Sequence, residues 1–197
     1  MALEEALVRR DPVNVSALFN LGYHQRMAGR FDAAIASFRT VLSLAPGRGN
    51  AYAQIGSALL LKGDAQGALA EIEQETSEVW RVIGLPMAYH GLGRKADSDA
   101  ALAALIAKWE RDCPSNIASV YAYRGEADKA FEWLDKAVEY ADSGLADIVV
   151  ENLFDKIHAD PRWLPFLRKL GKAPEQLSEI RFEVKLPAGL QPGAGAP

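Results

Sequence analysis

The sequence is poor in the residues that covalent frameworks and most reaction chemistry need. It holds one cysteine, Cys113, and three histidines in 197 residues. A single cysteine excludes an intrachain disulfide framework and a thiolate metal cluster. Cys113 precedes Pro114 without a positive neighbour to activate it, so it reads as a small residue at a helix boundary. His24, His90 and His158 are far apart and lack a His or Cys partner at i, i+4, so no metal site is expected. A basic surplus is also missing, since the net charge is -4. The densest basic stretch, Arg168-Lys169 with Lys172, fits a helix C-terminus meeting its dipole, and nucleic-acid partners are not expected. No apolar run approaches the ~20 residues of a membrane span. The N-terminus lacks the apolar stretch and cleavage site of a secretory leader.

Catalytic constellations are missing too, and no enzyme activity or cofactor is expected. Glu71, Glu73 and Glu75 read as a solvated helix face rather than a general-acid pair. Gly91-Leu-Gly93 follows no strand and therefore reads as a helix-hairpin turn, not a nucleotide loop.

What the sequence does have is internal repetition. Leu18, Leu21, Gly22, Gly29, Ala34, Phe38, Val41 and Pro46 form a spaced set in which small residues alternate with large ones. Tyr52, Ile55, Gly56, Leu59, Gly63, Ala68 and Ile72 repeat it, and register is then lost at Glu75 and Trp80. Val82, Leu85, Tyr89, Gly93, Ser98, Leu102 and Leu105 form a third set. There Pro86 stands where a glycine is expected, predicting a kink or a late helix start. Ile117, Ala118, Tyr121, Gly125, Ala130, Leu134 and Ala137 form a fourth. The physical sense is a row of antiparallel helix pairs, touching at small residues and filled by large ones. The pattern resembles the 34-residue tetratricopeptide repeat (TPR) and implies an all-α, right-handed superhelical solenoid.

The repeats divide the chain. Residues 1–12 read as the second helix of a preceding repeat, because Pro12 and Leu7 echo Pro46 and Val41; the chain is therefore expected to be part of a longer protein. Residues 13–142 give four hairpins, the third and fourth irregular in length. Residues 143–180 read as helices capping the solenoid end, opened by Ser143 as N-cap and restarted at Asp160-Pro161. Residues 181–197 read as an extended segment, Arg181 to Leu186, followed by a disordered Pro/Gly/Ala tail.

Three stretches, residues 122–137, 160–171 and 182–187, also resemble the C-terminal TPR region of bacterial regulators. Those regulators carry an N-terminal winged-helix or class III nucleotidyl cyclase domain, often with a TolB-like segment between. The resemblance implies an interaction or sensory module without the output domain.

In a TPR array, certain first-helix positions face the concave groove. Carried over, they give Phe19, Tyr23, Arg26 and Met27, then Asn50, Ser57 and Leu60. The third repeat adds Trp80, Ile83, Met87 and His90, and the fourth Ser119 and Tyr123. The residues that clamp a chaperone's C-terminal carboxylate in some TPR domains are replaced by Phe19, Tyr23, Gln54, Trp80 and Gly84, so that partner is not expected. The groove suits a protein or peptide with hydrophobic anchors. Three readings stand: a protein-interaction scaffold, a small-ligand sensor near Trp80 and Tyr123, and an accessory domain positioning substrate for a fused enzyme. Phe182, Val184 and Leu186 are a candidate for docking into a groove of their own or a neighbouring chain. Self-association and the choice between cytoplasm and periplasm are left open by the sequence.

Overall fold

The structure, a computed structural model, describes residues 2–181. It is all-α, and the described residues contain no strand. Helix α1 (Ala2–Arg10) is followed by four antiparallel hairpins: α2 (Val15–Met27) with α3 (Phe31–Leu44), α4 (Ala51–Leu61) with α5 (Ala65–Ile72), α6 (Glu78–Gly91) with α7 (Lys95–Trp109), and α8 (Pro114–Tyr123) with α9 (Ala127–Glu139). Each hairpin packs internally, and the first helices α2, α4, α6 and α8 stack side by side to form one wall.

The hairpin turn is the same local solution used four times. Gly29, Gly63, Gly93 and Gly125 all lie at φ between 71° and 84°, where a side chain would be strained. The residue after each glycine donates its N–H back to a carbonyl near the end of the first helix. The bonds are Arg30 to Gln25 (2.8 Å), Asp64 to Leu59 (2.9 Å), Arg94 to Tyr89 (2.9 Å) and Glu126 to Tyr121 (2.9 Å). Side-chain caps open several helices; the Asn14 side chain accepts from Ala17 N–H and Asp64 from Gly67 N–H.

The core follows the large-small code. Leu18, Phe38, Val41, Ile55, Ile72, Leu102, Leu105, Ile117 and Leu134 are buried. Ile72 is wedged between two glycines of successive hairpins. A Cβ on Gly56 would lie 2.5 Å from its Cγ1, and one on Gly84 would lie 2.9 Å from its Cδ1. Gly84 thus supplies the close approach that Pro86 cannot. Helix α6 runs unbroken through Pro86, so the expected late start is not observed; the Pro86 carbonyl instead accepts from the buried Ser98 hydroxyl at 2.7 Å.

Two further expectations are corrected. Glu71 and Glu75 are not solvated. Glu75 is 1% exposed, its carboxylate accepting from Ala53 N–H (3.1 Å) and Ser77 N–H (2.9 Å), so it ties the starts of α4 and α6 together. Glu71 is buried and pairs with Arg39. The loss of hydrophobic register at Glu75 is therefore a polar tie between hairpins.

The expected capping helices of 143–180 also differ. Residues Ser143–Asp147 and Asn152–Ile157 are two 3-10 turns, N-capped by Asp142 rather than Ser143, and by Glu151. They double back along the concave side of α8 and reach the first hairpin, where Tyr23 and Arg26 bind them. This strap buries Leu145, Ile148, Leu153, Phe154 and Ile157. A separate compact unit begins at Pro161. It contains α10 (Trp163–Lys169) and α11 (Pro174–Ser178), joined by Arg168 Nε to Glu175 Oε1 at 2.6 Å and by Gln176 Nε2 to the Arg168 carbonyl. The proposed docking strand Phe182, Val184 and Leu186, and the tail after it, lie outside the described residues.

Candidate functional site

The stacked first helices form one wall of a concave face, and the strap forms the opposite wall. Between them lies a cavity of about 500 Å³ that touches all four hairpins. Helix α2 supplies Tyr23 and Arg26, α4 supplies Gln54 with Asn50 at its N-cap, α6 supplies Trp80 and Ile83, and α8 supplies Ser115 and Ser119. The strap contributes Asp142, Asp147 and Glu151. A smaller recess of about 50 Å³ continues beneath Trp80, lined by Ala53, Ser57, Ile83 and Met87.

Arg26 is the centre of the architecture. It is 2% exposed yet charged. Its Nη1 and Nη2 donate to the two Glu151 carboxylate oxygens at 2.8 and 2.7 Å, and its Nε donates to Gln54 Oε1 at 2.9 Å. Burial opposes that charge, but hydrogen bonding to Glu151 and its negative charge win, so the guanidinium pKa is raised above its ordinary value. Beside it, Tyr23 donates its hydroxyl to Asp147 Oδ2 at 2.9 Å. Burial, followed by that bond, pushes the phenol well above the usual tyrosine range. A third tie is at the far end, where Lys156 Nζ donates to the Tyr123 carbonyl at 2.5 Å and lies 4.6 Å from the Tyr123 ring centroid. Together these ties hold the strap in place, and those from Tyr23 and Arg26 join residues 124 and 125 positions apart.

The structure sorts the residues expected in the groove. Tyr23, Arg26, Asn50, Trp80, Ile83 and Ser119 come together on the main cavity, and Ser57 and Met87 line the recess. Five others line neither. Phe19 sets its ring edge against Phe38, with centroids 5.3 Å apart, and carries the Arg48 guanidinium over its face. Met27 places its sulfur 3.7 Å from Arg26 Nη2. Leu60 is buried, and His90 packs edge-on against Tyr123. His90 is pushed toward the neutral form by burial and by Lys156.

Sequence reasoning misses the acidic side of the cavity: Asp142, Asp147 and Glu151. The only trace is their spacing, on a segment whose buried residues include Leu145, Ile148 and Leu153. The segment reads as a cap because nothing local says that Glu151 meets Arg26.

Cys113 also lines the cavity, at the start of α8. Burial, with Asp142 and Asp112 nearby, pushes its thiol up to about 12. Because the folded value lies above the reference of 9.0, the protonated thiol favours the folded state below about pH 9, and this contribution fades as pH rises toward 12. Alkylation by iodoacetamide at mildly alkaline pH is expected to run at least about tenfold slower in the native chain than in urea. Equal rates would contradict this environment.

The repeats, the shared turn and the stacked first helices define the class: an all-α TPR solenoid. The family model described as "Tetratricopeptide repeat" matches residues 2–49 and again residues 28–77. Two solved structures are similar in fold. One is described as "Crystal structure of MamA", with 22% identity over 73% of this chain and 87% of that chain, at a TM-score of 0.49. The other, "Crystal structure of MamA protein", has 22% identity over 73% and 81%, at a TM-score of 0.48. No curated protein matches. Repeat solenoids present extended concave surfaces to other proteins, and at that general level this chain is a protein-interaction scaffold.

Proposed function

We propose that the concave face docks a helix or extended segment of a partner protein, with the strap as one side of the dock. The observation that carries this reading is one continuous cavity touching the first helix of every hairpin. There the aromatic and apolar Tyr23, Trp80 and Ile83 alternate with the hydrogen-bonding Asn50 and Ser119. Apolar anchors beside a few oriented polar groups are the composition of peptide-recognition grooves. The resemblance of residues 122–137 and 160–171 to regulator TPR regions supports placing this dock in a bacterial regulatory protein.

The test is recovery of partners by immobilised wild type, Tyr23→Ala/Trp80→Ala, and Lys129→Ala, the last on an exposed outer position. Removing two aromatic anchors is expected to weaken capture at least about tenfold, while Lys129→Ala matches wild type. Equal recovery by all three would remove the groove from the account. The strap's partial enclosure of the cavity favours a second reading, a small-ligand sensor. A saturable rise in melting temperature with a small molecule, without any partner segment, would select it.

A further inference from the structure

The cavity under the strap carries more negative charge than its architecture uses. Asp112, Asp142, Asp147 and Glu151 line it, and Arg26 is the sole lysine or arginine among its lining residues. Arg26 and Glu151 neutralise each other. The two Asp142 oxygens cap Ser115 N–H and Gly144 N–H, both neutral donors, each at 2.8 Å. Asp147 accepts one hydrogen bond, from the neutral Tyr23 hydroxyl, and shares the field of Arg26 with Glu151. The Asp112 carboxylate has no hydrogen-bond or ion-pair partner among the described residues, and both aspartates are exposed at the cavity mouth. Three helix starts at the wall, those of α4, α6 and α8, oppose this with roughly half a positive charge each. That falls short of three unneutralised carboxylates, and Glu75 and Asp142 already engage N–H groups at these ends.

Two uncharged groups at the same wall are also unserved. Trp80 lines both cavity and recess, and its indole has no hydrogen-bond, aromatic or cation partner among the described residues. Ser115 is 5% exposed, and its hydroxyl has no partner among them either. A Cβ on Gly144 would meet that hydroxyl oxygen at 2.1 Å, which places it directly under the strap. The oxygen is not among the sealed unpartnered atoms, so it opens on the cavity it lines and offers a free hydrogen-bonding group to a guest. The carboxylates are dispersed: among the described residues no three His, Cys, Asp or Glu stand close enough to hold a metal ion. Dispersed carboxylates beside a free aromatic face suit an organic cation rather than a metal ion.

We propose that this chamber receives an arginine side chain of the docked segment. The planar guanidinium stacks on Trp80 and donates to the strap carboxylates, which a compact ammonium does less well. The inference rests on the docking reading above and deepens it by naming the partner's chemistry: a segment with an exposed basic residue.

The test uses the full chain and four probes: capped Gly-Arg-Gly, its uncharged citrulline counterpart, capped Gly-Glu-Gly, and methylguanidinium. The readout is the NMR signal of the Trp80 indole N–H, assigned with Trp80→Phe, together with the backbone amides lining the groove. Gly-Arg-Gly is expected to shift these signals saturably, and the citrulline peptide to bind at least about tenfold more weakly, as loss of a charge-assisted bond implies. Asp112→Asn/Asp147→Asn is expected to erase most of that difference. The amide introduced by Asp147→Asn keeps an oxygen for the Tyr23 hydroxyl, so the strap stays pinned, and an otherwise unchanged spectrum confirms the fold. Equal or tighter binding of the citrulline or glutamate peptide would overturn the cation assignment and leave the dock standing. Methylguanidinium binding as tightly as Gly-Arg-Gly would overturn the peptide source in favour of a free small cation. Silence from all four probes at millimolar concentration would overturn this inference and leave the docking reading to its own capture test.

Discussion

Arg26→Ala is expected to lower the unfolding free energy by about 3–5 kcal/mol, because it strands the other half of a buried ion pair. The Glu151 carboxylate, its side chain 16% exposed, would lose both guanidinium bonds, and Gln54 Oε1 would lose its donor. A chain of this size loses roughly 2–4 °C of melting temperature per kcal/mol, so a drop on the order of 10 °C should accompany it. The local consequence is more specific. The Leu153 N–H bonds Glu151 Oε1 at 3.1 Å, so the second 3-10 turn depends on a carboxylate that Arg26 holds in place. Hydrogen exchange in 143–157 should therefore rise in Arg26→Ala before the hairpins open. Arg26→Lys keeps the charge without the fork and should fall between. The double variant Arg26→Met/Glu151→Met, which strands no charge, should recover part of the loss in urea unfolding, the remainder reflecting the Leu153 N–H and Gln54 Oε1 left without these partners. A single-variant cost below about 1 kcal/mol would mean that Glu151 is already satisfied by solvent, and that the strap is not pinned here.

That pair also marks the boundary between what the sequence reveals and what it hides. The hairpins are legible because their determinants are local and periodic. A glycine at each turn, a small residue at Gly22, Gly56 or Ala118, and a large one at Phe38, Ile72 or Leu134 can be read within a single repeat. The first-helix face is legible for the same reason, and it delivers Tyr23, Arg26, Asn50, Trp80, Ile83 and Ser119 to one cavity. It fails at Phe19 and Leu60, where facing inward along the helix and filling the space between hairpins are geometrically adjacent outcomes. The strap is not legible. Its apolar residues have a spacing that suits an α-helix, but Asp142 and Glu151 cap short 3-10 turns instead, and its course depends on bonds to Tyr23 and Arg26 over 124 and 125 residues of separation. Glu75 misleads for a related reason. A carboxylate in an acidic run looks solvated until two backbone N–H groups from different helices are found bound to it.

Phe38→Ala is the second large effect, again about 3–5 kcal/mol, and here the cause is a cavity rather than a charge. The ring is fully buried among Leu18, Ala34, Val41, Leu42 and Ile55, with Phe19 edge-on against it. It presses on the backbone of α2: a Cβ added at Gly22 would lie 3.0 Å from Phe38 Cζ and 3.1–3.2 Å from its two Cε atoms. This contact gives the pair a coupling whose sign reverses. In the wild type Gly22→Ala should destabilise by roughly 1–3 kcal/mol, since the enclosed ring has nowhere to move and crowding outweighs the gain of about 0.5–1 kcal/mol from replacing a helical glycine. In the Phe38→Ala background the ring is gone, the new methyl enters the vacated space, and the same substitution should stabilise. Urea unfolding of the four proteins in the cycle measures this directly, and a coupling energy near zero would show that the two helices are not held apart by this contact. The reversal follows from the repeat's logic: a glycine is kept in mid-helix, at a cost in helix propensity, because the facing hairpin arm supplies an aromatic ring that uses the space a side chain would take.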